Sequence, residues 1–291
     1  GIGDFKYAVP SGFLCLCTSN LPTPVITDGS TNFNIVLYTG TGNVTRSVTG
    51  VGFQPDLVYN KQRNNTSANV IANAVSGVNT FMATDQTTAE SSFTNSIYGY
   101  LSSFDSDGYT LTPGATNNNY WNENAKNFVS YNWLAGNGTA SNTDGSITST
   151  VSANTTAGFS VLTFAGSGGT GTVGHGLSQP PNFIIVKSRD TSNAWYTGSD
   201  FYTTWEYYQT LNSNAAQSAG STVWNSTAPT SSVFSIGASL NTSAEDYVAY
   251  CWHSVEGFSK FGSYTGNGST DGPFVWCGFR PAFVLVKEYT S

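Results

Sequence analysis

Pro181-Asn-Phe-Ile-Ile-Val-Lys187 occurs three times in variant form along this chain. Its counterparts are Pro55-Asp-Leu-Val-Tyr-Asn-Lys61 and Pro281-Ala-Phe-Val-Leu-Val-Lys287, and in each copy proline stands six residues before lysine. A short continuous apolar run is typical of a β-strand that is buried on both faces. Proline is harmless at the start of a strand, where its missing N–H is not needed. The pattern therefore predicts the same buried strand in three successive units.

A glycine turn precedes each of these strands. The three turns read Tyr38-Thr-Gly40-Thr-Gly42, Phe164-Ala-Gly166-Ser-Gly168 and Tyr264-Thr-Gly266-Asn-Gly268. Glycine either supplies a positive φ or lets two backbones approach closely. Each unit therefore begins with an aromatic strand that ends at a tight turn.

A second block also repeats, but only twice. The run Asn122-Glu-Asn-Ala-Lys-Asn-Phe-Val-Ser-Tyr-Asn-Trp133 matches Asn241-Thr-Ser-Ala-Glu-Asp-Tyr-Val-Ala-Tyr-Cys-Trp252. Its aromatic and β-branched residues predict a core strand near the end of each unit.

These repeats divide the chain. We predict an all-β fold of tandem antiparallel β-sandwich, jelly-roll-like repeats, because units of about 100 residues are too long for a thin solenoid. The predicted boundaries are repeat 1 at 26–150, repeat 2 at 151–256 and the first hairpin of a third, incomplete repeat at 257–291. A short helix is expected only near Thr87–Ser91.

Composition excludes several classes of protein. The 291 residues include 10 Lys and Arg against 17 Asp and Glu, so the formal net charge of −7 has the wrong sign for a nucleic-acid-binding face. Charged residues make up only 9% of the chain, which argues against a helical bundle, and 14% aromatic residues argue against disorder. The sequence contains no run of 18 apolar residues that would predict a transmembrane helix, so membrane insertion is not expected.

The sequence shows no catalytic constellation. His175 and His253 are the two possible imidazole bases, and each is interpreted as structural or incidental. The glycine-rich run 166–171 lacks the Gly-Lys-Ser/Thr of a phosphate-binding loop and is interpreted as a hairpin turn. We therefore predict a protein that is not an enzyme and has no cofactor.

Metal binding has one pair of candidates. Asp105-Ser-Asp107-Gly108 resembles half of a calcium loop, but it lacks the later bidentate glutamate. An Asx-type turn is the alternative. Cys251 and Cys277 could form a disulfide, or they could be small buried apolar residues.

Aromatic residues cluster in the second repeat. Flat rings with polar neighbours suit sugar binding, because sugar CH groups stack on the ring while polar groups hold the hydroxyls. Packing between domains or subunits is the alternative. The candidate contact residues are Trp195, Tyr196, Tyr202, Trp205, Tyr207 and Tyr208, with Tyr120 and Trp121 in the first repeat.

The chain resembles a known family along essentially its whole length. Phe5-Lys-Tyr-Ala-Val-Pro-Ser-Gly-Phe13 and Thr18-Ser-Asn-Leu-Pro22 resemble the closing strands of a SPRY-type, concanavalin-like module, which places those strands at 1–25. Gly52-Phe-Gln-Pro-Asp-Leu-Val58 and 260–274 resemble a β-repeat domain of unassigned function that follows SPRY modules in marine phage genomes. The resemblance implies a virion or tail-fibre-associated protein and supplies no catalytic residue.

Two functions follow as expectations. The first is a non-enzymatic structural virion protein of a bacteriophage, most simply a tail-fibre or head-fibre component used in host attachment. Its partners would be other virion proteins and a host-surface glycan, its location the virion surface, and its assembly a homotrimer. The alternative is a secreted bacterial carbohydrate-binding module or surface adhesin.

Overall fold

The computed structural model describes residues 24–92, 97–115 and 118–290. The closing strands of a SPRY-like module, expected at residues 1–25, lie almost entirely outside the described residues. No helix in these ranges is long and apolar enough to cross a membrane.

The described residues form nineteen β-strands. The first nine are β1 (Phe33–Thr39), β2 (Arg46–Thr49), β3 (Leu57–Gln62), β4 (Val70–Asn73), β5 (Thr80–Ala83), β6 (Ser91–Ser92), β7 (Tyr100–Asp105), β8 (Gly108–Thr112) and β9 (Asn127–Trp133). The others are β10 (Ala140–Asn142), β11 (Ser149–Asn154), β12 (Phe159–Ala165), β13 (Gly171–Gly174), β14 (Phe183–Ser188), β15 (Tyr196–Ser199), β16 (Tyr207–Thr210), β17 (Ser218–Ala219), β18 (Val233–Ile236) and β19 (Asp246–Trp252). One short α-helix, α1 (Ser221–Trp224), and the 3-10 turns Gly29–Thr31 and Ala238–Leu240 complete the described elements.

The strands form two antiparallel β-sandwiches. In the first, a sheet in the order β1-β9-β3-β4-β5-β6 packs against the small sheet β2-β8-β7. In the second, the order β12-β19-β14-β15-β16-β17 recurs, and the small sheet is β13-β18. The large and small sheets share a core in each case. The predicted all-β class and antiparallel sandwich architecture are confirmed.

One central strand organises each large sheet. β9 lies between β1 and β3, and β19 lies between β12 and β14, with every pairing antiparallel. The first and third strands of a unit therefore never pair with each other. The predicted hairpin at the start of each repeat is wrong for this reason, and residues 166–171 connect two sheets rather than two paired strands.

Three local expectations change with the structure. Residues 257–290 form no strand, although a hairpin was predicted there. The boundary between repeats 1 and 2 was predicted at residues 150 and 151. Strand β10 lies before it and β11 spans it, yet both extend the second large sheet beside β12. Residues 87–90 are not helical, because their backbone pairs with the second repeat: the Glu90 N–H donates to the carbonyl of Arg189 at 2.7 Å, and Thr87 accepts from Asn193.

A third apolar cluster joins the two sandwiches. Leu57, Ile71 and Met82 of the first large sheet share it with Val161, Ile185, Val248 and Tyr250 of the second. The two large sheets therefore pack against each other through their outer faces. Strand β14, which contains the repeated sequence 183–187, is therefore buried on both faces. Ile184 and Val186 face the core of the second sandwich, while Ile185 faces the cluster shared with the first. The prediction of a strand buried on both faces is confirmed for β14, but residues 281–287, its third copy, form no strand and expose Val284, Leu285 and Val286.

Polar contacts reinforce this junction. Asp56 is buried and accepts hydrogen bonds from the N–H of Ala135 at 2.7 Å and from the hydroxyl of Ser152 at 3.0 Å. Arg189 and Glu90 form an ion pair across the repeats at 2.6 Å. Burial raises the pKa of Asp56, and the hydrogen bonds that it accepts oppose that shift.

A buried asparagine holds the glycine turn in both repeats. The Asn122 side chain accepts from the Thr41 N–H at 2.9 Å and donates to the carbonyl of Gly42 at 3.0 Å. Asn241 makes the matching bonds to the Ser167 N–H at 2.7 Å and to the carbonyl of Gly168 at 3.0 Å. A Cβ at Gly40 or Gly166 would overlap a backbone oxygen of the opposing loop, so glycine is required by close approach.

We predict that Asn241→Ala lowers the free energy of unfolding by about 2 kcal/mol. The change removes the side-chain partners of partly buried backbone groups of the turn, and an unsatisfied group costs roughly 1–3 kcal/mol. Asn122→Ala should behave alike. Urea denaturation measures the effect, and the exposed Asn65→Ala is the control, with an expected change within about 0.5 kcal/mol. Equal losses of stability in all three variants would contradict the role of Asn122 and Asn241 as the clamp that holds each glycine turn.

Lys187 is fully buried at the end of β14. Its ammonium donates to the carbonyls of Ser188 at 2.7 Å and Thr191 at 3.0 Å. Burial lowers the pKa of Lys187 to about 8, and the nearby Glu245 carboxylate partly opposes this shift. The folded protein therefore holds this proton less tightly than the unfolded chain does.

We predict that this lysine makes stability depend on pH. Between pH 8 and 10 the unfolded chain binds more protons at this site, so its contribution to the free energy of unfolding rises with pH, by up to about 1 kcal/mol per unit. The difference in stability between the natural chain and Lys187→Met should rise over that range. The same measurement on Lys260→Met, at an exposed lysine, is the control, and a flat difference for Lys187→Met would refute the prediction.

Candidate functional site

Four of the predicted contact residues lie in the cores. Trp121, Trp195 and Trp205 are at most 9% exposed, and Tyr202 is 7% exposed. Their rings offer no open face to a sugar, so burial favours the alternative interpretation of packing for these four residues.

Trp195 joins the two repeats. Its indole N–H donates to the carbonyls of Ala83 at 3.0 Å and Gln86 at 3.1 Å, both in the first repeat. Its ring belongs to the apolar cluster that the two large sheets share. A single side chain of the second repeat therefore fixes the end of β5 and the loop after it.

Trp205 and Tyr202 belong to the second sandwich. Trp205 packs edge-on against Trp224, with ring centroids 5.8 Å apart. The Tyr202 hydroxyl shares hydrogen bonds with Thr197 at 2.9 Å and Gln209 at 3.2 Å. Tyr196 and Tyr208 pack on the same core with centroids 5.5 Å apart, but they and Tyr207 remain partly exposed.

The partly exposed Tyr120 lies elsewhere, in the loop before β9. With Tyr98 and Phe81 it borders a cavity of about 170 Å³, and the rings of Tyr98 and Tyr120 are 4.8 Å apart. Ala83 and Gln86 also line this cavity, and their carbonyls are the ones that hold Trp195. The two aromatic clusters of the sequence therefore meet on opposite sides of one short segment.

The same loop borders a second, larger cavity of about 420 Å³. Its lining residues are polar apart from Gly42 and are rich in side-chain amides. The lining residues are Thr41, Gly42, Asn43, Asn118, Asn119, Glu123 and Asn124. Residues 118–124 thus separate an amide-lined cavity from a tyrosine-lined one.

Hydrogen bonds hold this loop in one shape. The buried Asn60 side chain donates to the carbonyl of Tyr120 at 2.7 Å, and the Tyr38 hydroxyl donates to the carbonyl of Trp121 at 2.7 Å. Asn118 accepts from the Gly114 N–H at 2.7 Å and donates to the side chain of Asn43 at 2.8 Å. The Gln62 amide donates to Glu123 at 2.8 Å. The cavity walls are therefore largely pre-formed.

This arrangement suits a neutral ligand with many hydroxyl groups. Side-chain amides both donate and accept hydrogen bonds, and a carboxylate accepts them, while tyrosine rings present an apolar face. Pre-formed walls reduce the entropy that a ligand must overcome on binding. Tyr120 was among the predicted contact residues but the amides were not, although the run Asn118-Asn-Tyr-Trp-Asn-Glu-Asn124 stands in the sequence.

The two aspartates that were considered for metal binding serve the β7–β8 turn. Asp107 accepts from the N–H groups of Gly50 at 3.1 Å and Gly52 at 2.7 Å, and these bonds lower its pKa. Asp105 accepts from the hydroxyls of Ser103 and Thr110, each at 2.7 Å. The described ranges contain no group of three or more potential metal-ligating His, Cys, Asp or Glu side chains.

Both histidines are buried. The Leu177 N–H donates to Nδ1 of His175 at 3.1 Å, and Nε2 lies 3.1 Å from the carbonyl of Thr230, which fixes a neutral ring. Burial also lowers the pKa of His175. Cys251 and Cys277 are free thiols, so the disulfide considered between them is absent from the structure.

Fold and site together define a class: a tandem antiparallel β-sandwich protein whose first repeat carries an amide-lined cavity and a tyrosine-bordered cavity at the loop 118–124. Residues 28–291 match the family described as "Domain of unknown function (DUF7483)", and the chain belongs to that family. Neither a curated protein nor a solved structure matches the chain.

We predict that Trp195→Phe destabilises the protein through the junction between repeats. The change leaves two backbone carbonyls without their shared donor, so the free energy of unfolding should fall by about 2–3 kcal/mol. Trp224→Phe is the matched control, because the buried indole N–H of Trp224 has no hydrogen-bond partner among the described residues. Thermal and urea unfolding compare the two. An equal loss in both variants would show that ring volume alone matters.

Proposed function

We propose that this chain is a non-enzymatic structural protein of a bacteriophage particle, a tail-fibre or head-fibre component that contacts the host surface. The observation that carries the proposal is the stack of two duplicated sandwiches bearing two pre-formed cavities at the loop 118–124, one lined by amides and the other bordered by Tyr98 and Tyr120. In this proposal the stack is a rigid spacer, and the two cavities, together called the cleft below, bind a host-surface glycan.

The stack supports a load-bearing role. Two large sheets bury a continuous apolar layer between them, and an ion pair and the Trp195 bonds cross the same junction. A junction with an apolar core resists relative motion of domains more than a small polar one does. The sequence resemblance to virion-associated repeats points in the same direction.

The cleft supports glycan contact rather than contact with a charged polymer. Its lining holds four asparagines and a single carboxylate, without a basic residue. The chain as a whole carries a net charge of −7, which disfavours binding to phosphate polymers. Uncharged hydroxyl-rich surfaces match this chemistry best.

A secreted bacterial carbohydrate-binding module or adhesin is the second candidate. The cleft favours it as much as it favours the fibre, because both would use the same amides and tyrosine. Mass spectrometry of purified phage particles separates the two. Recovery of this chain with the particle in fixed stoichiometry supports the virion proposal. Recovery only in a bacterial secreted or surface fraction would reject it in favour of the adhesin.

We predict that Tyr120→Ala weakens glycan binding about tenfold. Loss of one stacking ring costs roughly 1–1.5 kcal/mol, which corresponds to that factor. A glycan array followed by calorimetry on the best ligand provides the measurement. The exposed Tyr264→Ala serves as the control and should bind normally.

A second variant locates the site. Tyr207→Ala removes a partly exposed ring of the other aromatic cluster. If it abolishes binding while Tyr120→Ala does not, the glycan site lies on the second repeat. If no glycan binds the natural chain, the attachment part of the proposal fails.

A further inference from the structure

Residues 258–290 expose a large amount of apolar surface. Phe274 is 85% exposed and Trp276 69%, and Val284, Leu285 and Val286 are each more than half exposed. Contiguous exposed apolar side chains of this size mark an interaction surface. The sequence of this segment shows which strand residues of repeats 1 and 2 these side chains correspond to.

The equivalent residues in the other repeats are strand residues. Phe283 occupies the position of Phe183 in β14 and of Leu57 in β3, two residues after the shared proline. In both repeats that position pairs with the tryptophan of the central strand: Phe183 with Trp252, and Leu57 with Trp133. The central strand also separates this strand from the first one. Residues 258–287 contain the first-strand and third-strand sequences, and the structure shows neither as a strand.

The segment already rests on the junction between the sandwiches. Phe283 packs against Tyr131 at 5.0 Å, Trp133 at 5.6 Å and Phe33 at 6.1 Å, all in the first repeat. Phe261 stacks on Phe183 of the second repeat, with centroids 5.9 Å apart and planes at 16°.

The position of Phe261 in the third copy corresponds to that of Val161 in repeat 2. Phe261 stands three residues before its aromatic partner Tyr264, as Val161 stands before Phe164. Val161 lies in the shared cluster, and Phe183 packs against it. The third copy therefore presents the same positions to the same apolar layer. Trp133 and Phe183, which these rings contact, both pack against the apolar cluster that the two large sheets share.

We propose that residues 258–287 are the first and third strands of a third sandwich, and that their ligand is one antiparallel strand of the β9 and β19 type. Its sequence pattern is aromatic-Val-x-Tyr-x-Trp, which β9 and β19 share.

The existing pairs define the register. In the first repeat Tyr38 stacks on Phe128 with centroids 5.1 Å apart, and in the second Phe164 stacks on Tyr247 at 5.2 Å. Tyr264 is the third member of that series. The incoming strand therefore places its first aromatic residue on Tyr264 and its tryptophan beside Phe283. Both edges of the strand then receive backbone partners, and the exposed valines and leucine become buried.

A chimera tests this assignment. A second copy of residues 188–254 replaces residues 288–291 after Lys287, because Lys187 precedes the same residues in repeat 2. Hydrogen exchange with mass spectrometry follows residues 258–287. We expect their amides to exchange at least tenfold more slowly than in the natural chain, while repeats 1 and 2 stay unchanged outside residues 209–217, which bond to residues 288 and 289 in the natural chain.

A proline provides the matched control. Proline cannot occupy a central strand, since it removes a ladder hydrogen bond. The same chimera with Ala249→Pro in the added copy alone should lose the new protection. Equal exchange at 258–287 in both chimeras, with repeats 1 and 2 intact, would overturn the proposal.

A second chimera guards against a copy that fails to fold for its own reasons. It carries residues 62–136 of repeat 1 after Lys287, since Lys61 precedes them. Protection by either copy, lost with proline in its central strand, supports the inference. Absence of protection with both copies refutes it. The test uses no glycan, so its outcome is independent of the attachment proposal.

Discussion

Each sandwich depends on a strand that arrives late in its sequence. β9 and β19 pair along both edges and are buried on both faces, yet each follows the first strand of its sheet by about ninety residues along the chain. Until the central strand is in place, the first and third strands are not joined to each other, and β3 and β14 pair only with β4 and β15. Because this pairing joins residues that are far apart in the sequence, we expect each unit to fold slowly.

The shared apolar layer follows from the same strands. Because residues alternate across a strand, one set of side chains in β14 and β19 fills the internal core and the other set faces the neighbouring repeat. Neither large sheet can face water on its outer side without exposing that second set. Stacking of repeats is therefore part of the fold rather than an addition to it, and it leaves recognition to the loops.

The loop 118–124 shows how a site arises from this scaffold. Asn122 is needed to hold the glycine turn, and its neighbours project from a backbone that is already fixed. Asn118, Asn119, Glu123 and Tyr120 can therefore line cavities without further ordering cost. The second repeat keeps the clamp at Asn241 but not the amide-rich run, so the same turn carries a different surface there.

Features that depend on local residue type could be predicted from the sequence, whereas features that depend on contacts between distant residues could not. Repeated spacing of proline, aromatic residues and lysine predicted the strands, their burial on both faces and the sandwich class, because these are local consequences of residue type. It did not predict that β1 pairs with β9, since pairing partners far apart in sequence leave no local pattern. Nor did it distinguish a buried tryptophan such as Trp195 from one available to a sugar.

The sequence by itself determined the β class, the duplication and the glycine-dependent turns, because backbone preference and apolar alternation are written residue by residue. Only the tertiary structure decided which rings face solvent, which carbonyls hold the Trp195 indole and which amides meet around one cleft. Those properties depend on what packs against each face, and the partners come from strands and loops of another repeat.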